Sequence, residues 1–201
     1  MTLARQPDVA LAAVTHALAR RAFYPCGGET CLRHHGQPNR FCVSFYGWLH
    51  ADKFIAAFRA AGFRLVGHFT FPKRYTSSRG YVRCQHECAY LLAKGSPRQP
   101  DYAIGDVIDW TYSGNRLHPT QKPLPVLLPL VETFSSAGGL VLDPFAGSGS
   151  SLLAARMLGR SYLGIELDDE YHAIARRRLE GGTCPAIAPG AGRRAAADVD
   201  F

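Results

Sequence analysis

The chain has 201 residues, 47% of them hydrophobic and 11% aromatic, with a formal net charge of +7. No apolar run approaches the ~20 residues of a membrane span. The first residues lack the apolar stretch and small-residue cleavage site of a secretory signal, so a cytoplasmic location is expected. The length suits one domain with a full core. The positive charge suits a polyanion such as nucleic acid, and equally a solvated basic surface. Six cysteines in such a compartment read as free thiols. Cys26, Cys31, His34 and His35 are loosely spaced with no second pair, so no metal site is expected.

Residues 7–23 are rich in alanine and leucine and are predicted helical. Residues 24–40 are turn-rich and aperiodic, so residues 1–40 stand apart as an atypical segment. Order begins with a strand at 41–46. A helix follows at 51–61, where Phe54, Ile55, Phe58 and Ala61 share one face and Gly62 stops it. Strands are predicted at 63–71 and 87–93. Between them, residues 73–83 mix cations and aromatics. Lys73, Arg74, Arg79 and Arg83 suit phosphates and Tyr75 suits stacking on a base; a flexible basic hairpin tip is the plain alternative. Cys84, His86 and Cys88 alternate and read as one packed strand face.

Residues 95–117 have turn and polar character around Asp109-Trp110-Thr111-Tyr112. His118-Pro119-Thr120-Gln121-Lys122-Pro123 then leads into a helix at 124–134, which Pro129 is expected to kink. Leu140-Val141-Leu142 is too short and branched for a helix and runs into Asp143-Pro144-Phe145-Ala146-Gly147-Ser148-Gly149-Ser150, so it reads as a buried strand entering a glycine turn. A helix at 151–159, a strand at 162–167 and a helix at 169–179 capped by Asp168 complete the unit. Arg176, Arg177 and Arg178 read as a solvated helix end, and residues 181–201 as a disordered tail.

This strand, turn, helix and strand should hold a ligand where the first strand ends. Gly147 and Gly149 let a ligand approach the backbone. Glu166 lies 19 residues beyond Gly147, near the offset at which an acid meets ribose hydroxyls. A dinucleotide fingerprint wants a third glycine where Leu152 stands. Asp143 instead suits an ammonium group, so adenosine with an amino acid tail, S-adenosylmethionine, fits better. The reading requires that crevice to be open and not filled by the chain's own side chains.

HPTQKP, one helix, then DPFAGSGS resembles the amino-methyltransferases of DNA in the permuted, β-class order, which act on adenine N6 or cytosine N4 and include restriction-modification enzymes. Phe41 to Trp48 is similar to that family's strand after the catalytic region. The resemblance implies an α/β, Rossmann-like sheet with helices on both faces, in permuted motif order and incomplete at the N-terminus. It implies a methyltransferase domain over 41–180, with recognition segments at 73–83 and 95–117 and a cofactor half at 118–180. It implies S-adenosylmethionine as cofactor and double-stranded DNA as partner. Phe145, Ala146, Gly147 and Gly149 would line the cofactor, with Asp143 near its amino acid tail. Glu166 would take the ribose, Asp168 would sit near the adenine edge, and Thr120, Gln121 and Lys122 would close the methionine end. The family's acid-Pro-Pro-aromatic motif is absent, since no Pro-Pro dipeptide occurs. Two readings follow, a DNA methyltransferase or a relative that binds DNA or cofactor without transfer.

Overall fold

A computed structural model describes the backbone of Val9–Val14, residues 39–112 apart from the Arg79 side chain, Gly114, and residues 117–181. Its centre is a six-stranded sheet. In chain order the strands are β1 (Val9–Val14), β2 (Arg40–Tyr46), β3 (Phe63–Pro72), β6 (His86–Lys94), β7 (Leu140–Asp143) and β8 (Ser161–Gly164). Across the sheet the order is β3-β6-β2-β1-β7-β8. The half from β2 to β8 is parallel, and β6 runs antiparallel to both β2 and β3. Ser78–Arg79 (β4) and Arg83–Cys84 (β5) form a separate small hairpin.

Strand alternation divides β2 between two cores. Val43 and Phe45 enter one, with Phe69, Phe71 and Trp110. Helix α2 (Leu124–Phe134) covers that side with Val126, Leu127, Leu130 and Val131, and α3 (Ser150–Met157) adds Ala154 and Ala155. Cys42 enters the other core, where α1 (Ala51–Ala60) buries Phe54 and Phe58. Each buried phenylalanine or leucine contributes about 1.5–3 kcal/mol, so both faces of the sheet are fixed by burial. Helix α4 (Asp169–Leu179) carries Ile174 and Ala175 inward.

Most predicted elements stand where their periodicity puts them. The helix predicted over 7–23 is corrected: residues 9–14 are strand β1. This stretch hydrogen-bonds on both edges, to β2 and to β7, and fills a central place in the parallel sheet. Pairing on two sides outweighs alanine's helical preference. Residues 15–38, including Cys26, Cys31, His34 and His35, lie outside the described residues, as does the predicted tail from 182 onward. Pro129 sits inside an uninterrupted α2. The strand expected to reach residue 167 ends at Gly164, because the Glu166 carboxylate accepts the Leu167 and Asp168 N–H groups at 3.0 and 3.1 Å and turns the chain.

The segment after β6 is less loop-like than its composition suggests. Thr70 donates its N–H to the Asp106 carbonyl at 2.8 Å, and Trp110 donates to the Pro72 carbonyl at 3.1 Å, so residues 106–110 run beside β3. Trp110 is thereby buried in the first core. Ser113, Asn115 and Arg116 lie outside the described residues. Among the described residues, no helix is long and apolar enough to cross a membrane.

Candidate functional site

The site lies at the carboxyl end of β7, where the chain turns into α3. Asp143 ends that strand with no exposed surface. Its Oδ1 accepts the Phe145 N–H at 3.0 Å and its Oδ2 accepts the Ser151 hydroxyl. One carboxylate thus ties the start of the turn to the first turn of the helix. Burial pushes this acid up to about 6, while the Ser151 and Phe145 hydrogen bonds oppose the rise.

Gly149 has φ of +75° and precedes α3 in left-handed conformation, and a Cβ there would lie 3.0 Å from the Ala175 Cβ. Gly147, with φ of +52°, faces the His118 ring: an added Cβ would sit 3.3 Å from its Cδ2. Glycine at both places is required by conformation and by close packing. The Gly147 N–H donates to Glu166 Oε2 at 2.7 Å, so the second acid reaches the glycine turn. Arg178 of α4 clamps the turn from outside, donating to the Ser148 carbonyl and, at 3.1 Å, to the Ser150 hydroxyl. That differs from the solvated helix end its sequence position suggests.

The HPTQKP segment closes over this turn. His118 Nδ1 accepts the Thr120 N–H at 3.2 Å, which leaves the ring proton of the neutral imidazole on Nε2. Its ring packs 4.3 Å from that of Tyr171. Burial lowers its proton affinity, and Glu166 and Asp168 partly restore it. His118 therefore caps and packs, as a residue at this turn should. Thr120, Gln121, Lys122, Asp143, Ala146 and Gly147 line one crevice with His118 and Ser148. Its volume is 20 Å³. The crevice is narrower than expected: the His118 ring packs against Gly147, and the Glu166 carboxylate accepts the Gly147 N–H. A small-molecule site needs about 300 Å³ or more, so this crevice alone does not enclose a whole cofactor. The chemistry of the donor set suits an adenosyl amino acid, with a buried carboxylate for an ammonium, a second for a diol, and bare backbone between.

Phe145 packs against the second core, and Asp168 is the N-cap of α4, accepting the Glu170 and Tyr171 N–H groups at 2.9 and 3.1 Å. Beside the crevice, Ala146 also borders a 230 Å³ hollow, with Leu152, Tyr162, Glu166 and His172.

The predicted DNA contacts divide. Arg74 and Arg83 are exposed, and Tyr75 meets Tyr112 edge-on at 5.2 Å. Lys73 is corrected as a surface cation. It is 8% exposed, pairs with Glu87 and donates to the Ser77 hydroxyl at 3.2 Å. Lys122 is 4% exposed, with Nζ 5.1 Å from the Phe45 ring and 5.6 Å from Trp110. Burial brings its ammonium down to about 8; Glu87 raises it and Lys73 lowers it. Sequence reasoning missed this cluster. The signal available was an acid at Glu87, at the start of an otherwise apolar strand, and a lysine just past the end of β3, the strand that pairs with it. Among the described residues, no group of three metal-ligating side chains is gathered.

A mostly parallel sheet with helices on both faces and a glycine turn flanked by two acids defines the class: a Rossmann-like methyltransferase fold. Solved structures share it. The M1.HpyAVI–SAM complex superposes with a TM-score of 0.71 at 21% identity, over 86% of this chain and 89% of that one. The PvuII DNA methyltransferase (cytosine-N4-specific) does so with a TM-score of 0.67 at 16% identity, over 86% and 80%. Within that class, residues 26–177 match the family described as DNA methylase, and this chain belongs to it. YubD of Escherichia coli (strain K12), a provisionally named methylase, is 55% identical over 137 residues, which are 68% of this chain and 60% of YubD. The type II methyltransferase M2.DpnII of Streptococcus pneumoniae is 46% identical over 63 residues, 31% of this chain and 24% of that protein. The chain thus matches about three-fifths of the first relative's length and a quarter of the second's.

Proposed function

We propose that this chain is a DNA methyltransferase that moves a methyl group from S-adenosylmethionine to the exocyclic amine of adenine (N6) or cytosine (N4) in double-stranded DNA. The observation that carries the reading is the meeting of HPTQKP and the glycine turn around one crevice, in a chain of the DNA methylase family. Bound there, the cofactor supplies a methyl already activated on a sulfonium. The chain's own task is alignment, which needs little acid–base help. Asp143 faces the ammonium of the tail and Glu166 the ribose hydroxyls. Phe145, Ala146, Gly147 and Gly149 form the floor, and Asp168 stands near the adenine edge. Thr120, Gln121 and Lys122 close the methionine end. Arg74, Tyr75, Arg79 and Arg83 meet the DNA backbone and bases.

Two measurements test this. Calorimetric titration with S-adenosylmethionine should show saturable binding that Gly147→Asp abolishes; equal binding by both proteins contradicts the site. Transfer of labelled methyl to duplex DNA should follow. The absence of any Pro-Pro dipeptide favours one other reading, a relative that binds without transferring. Cofactor binding with no incorporation into DNA selects it.

A further inference from the structure

The β4–β5 hairpin ends in a bare apolar tip. Tyr81 is fully exposed and Val82 is 68% exposed, at the bend between the paired Arg79 and Arg83. A Cβ added at the neighbouring Gly80 would meet nothing within 4 Å, so the tip stands clear of the described chain around it. Apolar side chains scattered singly over a surface need no explanation. A bare tyrosine next to a bare valine, at the end of a projecting loop, has the shape of a wedge.

The stem beneath it is anchored. The Ser77 N–H donates to the Cys84 carbonyl at 2.9 Å, and the Ser77 hydroxyl donates to the same oxygen at 3.1 Å. The Lys73 N–H donates to the Gln85 carbonyl at 2.7 Å, and its buried ammonium pairs with Glu87 and donates to the Ser77 hydroxyl at 3.2 Å. Load on the tip therefore passes into the sheet. β2 and β7 run parallel through β1, and β6 runs antiparallel to β2 and β3. So β3 ends and β6 begins at the end of the sheet where β7 delivers Asp143. Lys73, Ser77 and Glu87 line a 640 Å³ cleft that shares Thr120, Gln121 and Lys122 with the crevice under the glycine turn. The stem thus rises from the rim of the proposed site. Tyr81 lies four positions beyond Ser77, a reach of at most about 13 Å.

We infer that the Tyr81–Val82 tip is a wedge that enters between stacked base pairs of duplex DNA and kinks the duplex beside the proposed site. This rests on the methyltransferase reading above and names how the chain deforms its DNA. Apolar side chains inserted at a base step partly unstack it and bend the duplex. The Tyr81 ring offers a flat face to the exposed base pair, and Val82, stiff at its branched Cβ, backs it. Arg74 and Arg83 are exposed on the same segment, and guanidinium forks match phosphate oxygens. Cations thus position the duplex while the tip opens it. The tip carries no base readout, because stacking is tolerant of sequence. An anionic membrane is the other surface that accepts a basic hairpin with an apolar tip. A stem rooted at the rim of the site, in a chain of the DNA methylase family, favours DNA.

The test uses the whole chain and a duplex of about 25 base pairs with a donor and an acceptor dye at its two ends. One central mismatch lowers the cost of unstacking, so no recognition sequence is required. Wild-type binding should raise energy transfer, as a kink of about 20–90° does. Tyr81→Ala combined with Val82→Ser should abolish that rise and weaken binding about tenfold or more, with the slope of log affinity against log salt unchanged. Tyr81→Phe keeps the ring and should bend the duplex as the wild type does. Arg83→Ala should instead reduce the salt slope by about 1. The substituted tip side chains are exposed, so the double variant keeps the wild-type core. A duplex that stays straight under the wild type, or bends equally under the double variant, overturns the inference. So does binding to phosphatidylserine vesicles that needs the tip while DNA binding does not. No cofactor enters these titrations. A chain that kinks DNA yet transfers no methyl contradicts the proposed function and leaves the wedge standing, and methyl transfer onto unbent DNA does the reverse.

Discussion

Replacing Asp143 by asparagine separates the acid's role in the fold from its charge. The carboxyl is fully buried, and burial takes it from an ordinary 3.8 to about 6. The folded chain therefore holds an extra proton between those values. The sign follows: the group's contribution to stability is complete below about 3.8 and is lost as pH rises through about 6. The shift corresponds to about 3 kcal/mol. No discount for solvent applies, because the group has no exposed surface. Asparagine is nearly isosteric. Its carbonyl can still accept the Phe145 N–H, and its amide can donate to the Ser151 hydroxyl, which rotates to accept. The variant should match the wild type near pH 4 and exceed its stability by up to about 3 kcal/mol near neutrality, since neither state of asparagine titrates. Urea unfolding of both proteins across that range measures it, and every other carboxylate cancels in the difference. The variant should also lose affinity for S-adenosylmethionine, whose ammonium would face a neutral amide. A stability difference that stays constant with pH refutes the assignment of a strained, buried acid at the end of β7.

Other outcomes follow from the same geometry. Gly147→Ala forces a left-handed residue and a Cβ against His118, so unfolding free energy should fall by about 1–2 kcal/mol, read by chemical denaturation. Asp168→Ala removes the cap of α4 and should cost about 1 kcal/mol, visible as a lower melting temperature with the sheet intact. Lys122→Met concerns a buried ammonium that burial brings down to about 8. Above that value the unfolded chain holds more protons than the folded one. Wild-type stability therefore gains from pH 8 toward pH 10, by about 3 kcal/mol at full deprotonation, and the variant should lack that gain in urea unfolding at the two pH values.

Local signals were legible wherever one residue type has one physical use. The 3- and 4-residue apolar spacing located α1, the proline-opened apolar run located α2, and the acid before a charged helix located α4 with its cap. DPFAGSGS located the turn because two glycines between a strand and a helix have few other purposes. What failed was decided by tertiary partners. Residues 9–14 carry helix-favouring alanines and become the central strand only because β2 and β7 flank them. Lys73 looks like a surface cation until Glu87, three strands later in sequence and one across in space, meets it. Trp110 looks like a loop aromatic until the chain beside it bonds to β3. Neither pairing follows from the local apolar periodicity.

The contacts around Gly147 are consistent in energy with a ligand site. Glu166 has two anchors that do not move when it leaves Gly147: its Oε1 accepts the Leu167 and Asp168 N–H groups of its own turn. Only the Oε2 contact to Gly147 must break. A hydrogen bond to a charged group is worth about 1.5–3 kcal/mol net, and two ribose hydroxyls donating to the freed oxygen return a comparable amount. His118 gives up a ring contact with Tyr171, and a purine offers another aromatic face in exchange. A micromolar ligand brings about 8 kcal/mol at the standard state. Breaking the Gly147 contact alone would weaken binding by a factor of about 10 to 150, before the ribose hydroxyls offset it. The same two side chains cover the Gly147 backbone, and a ligand at that turn would take over their contacts.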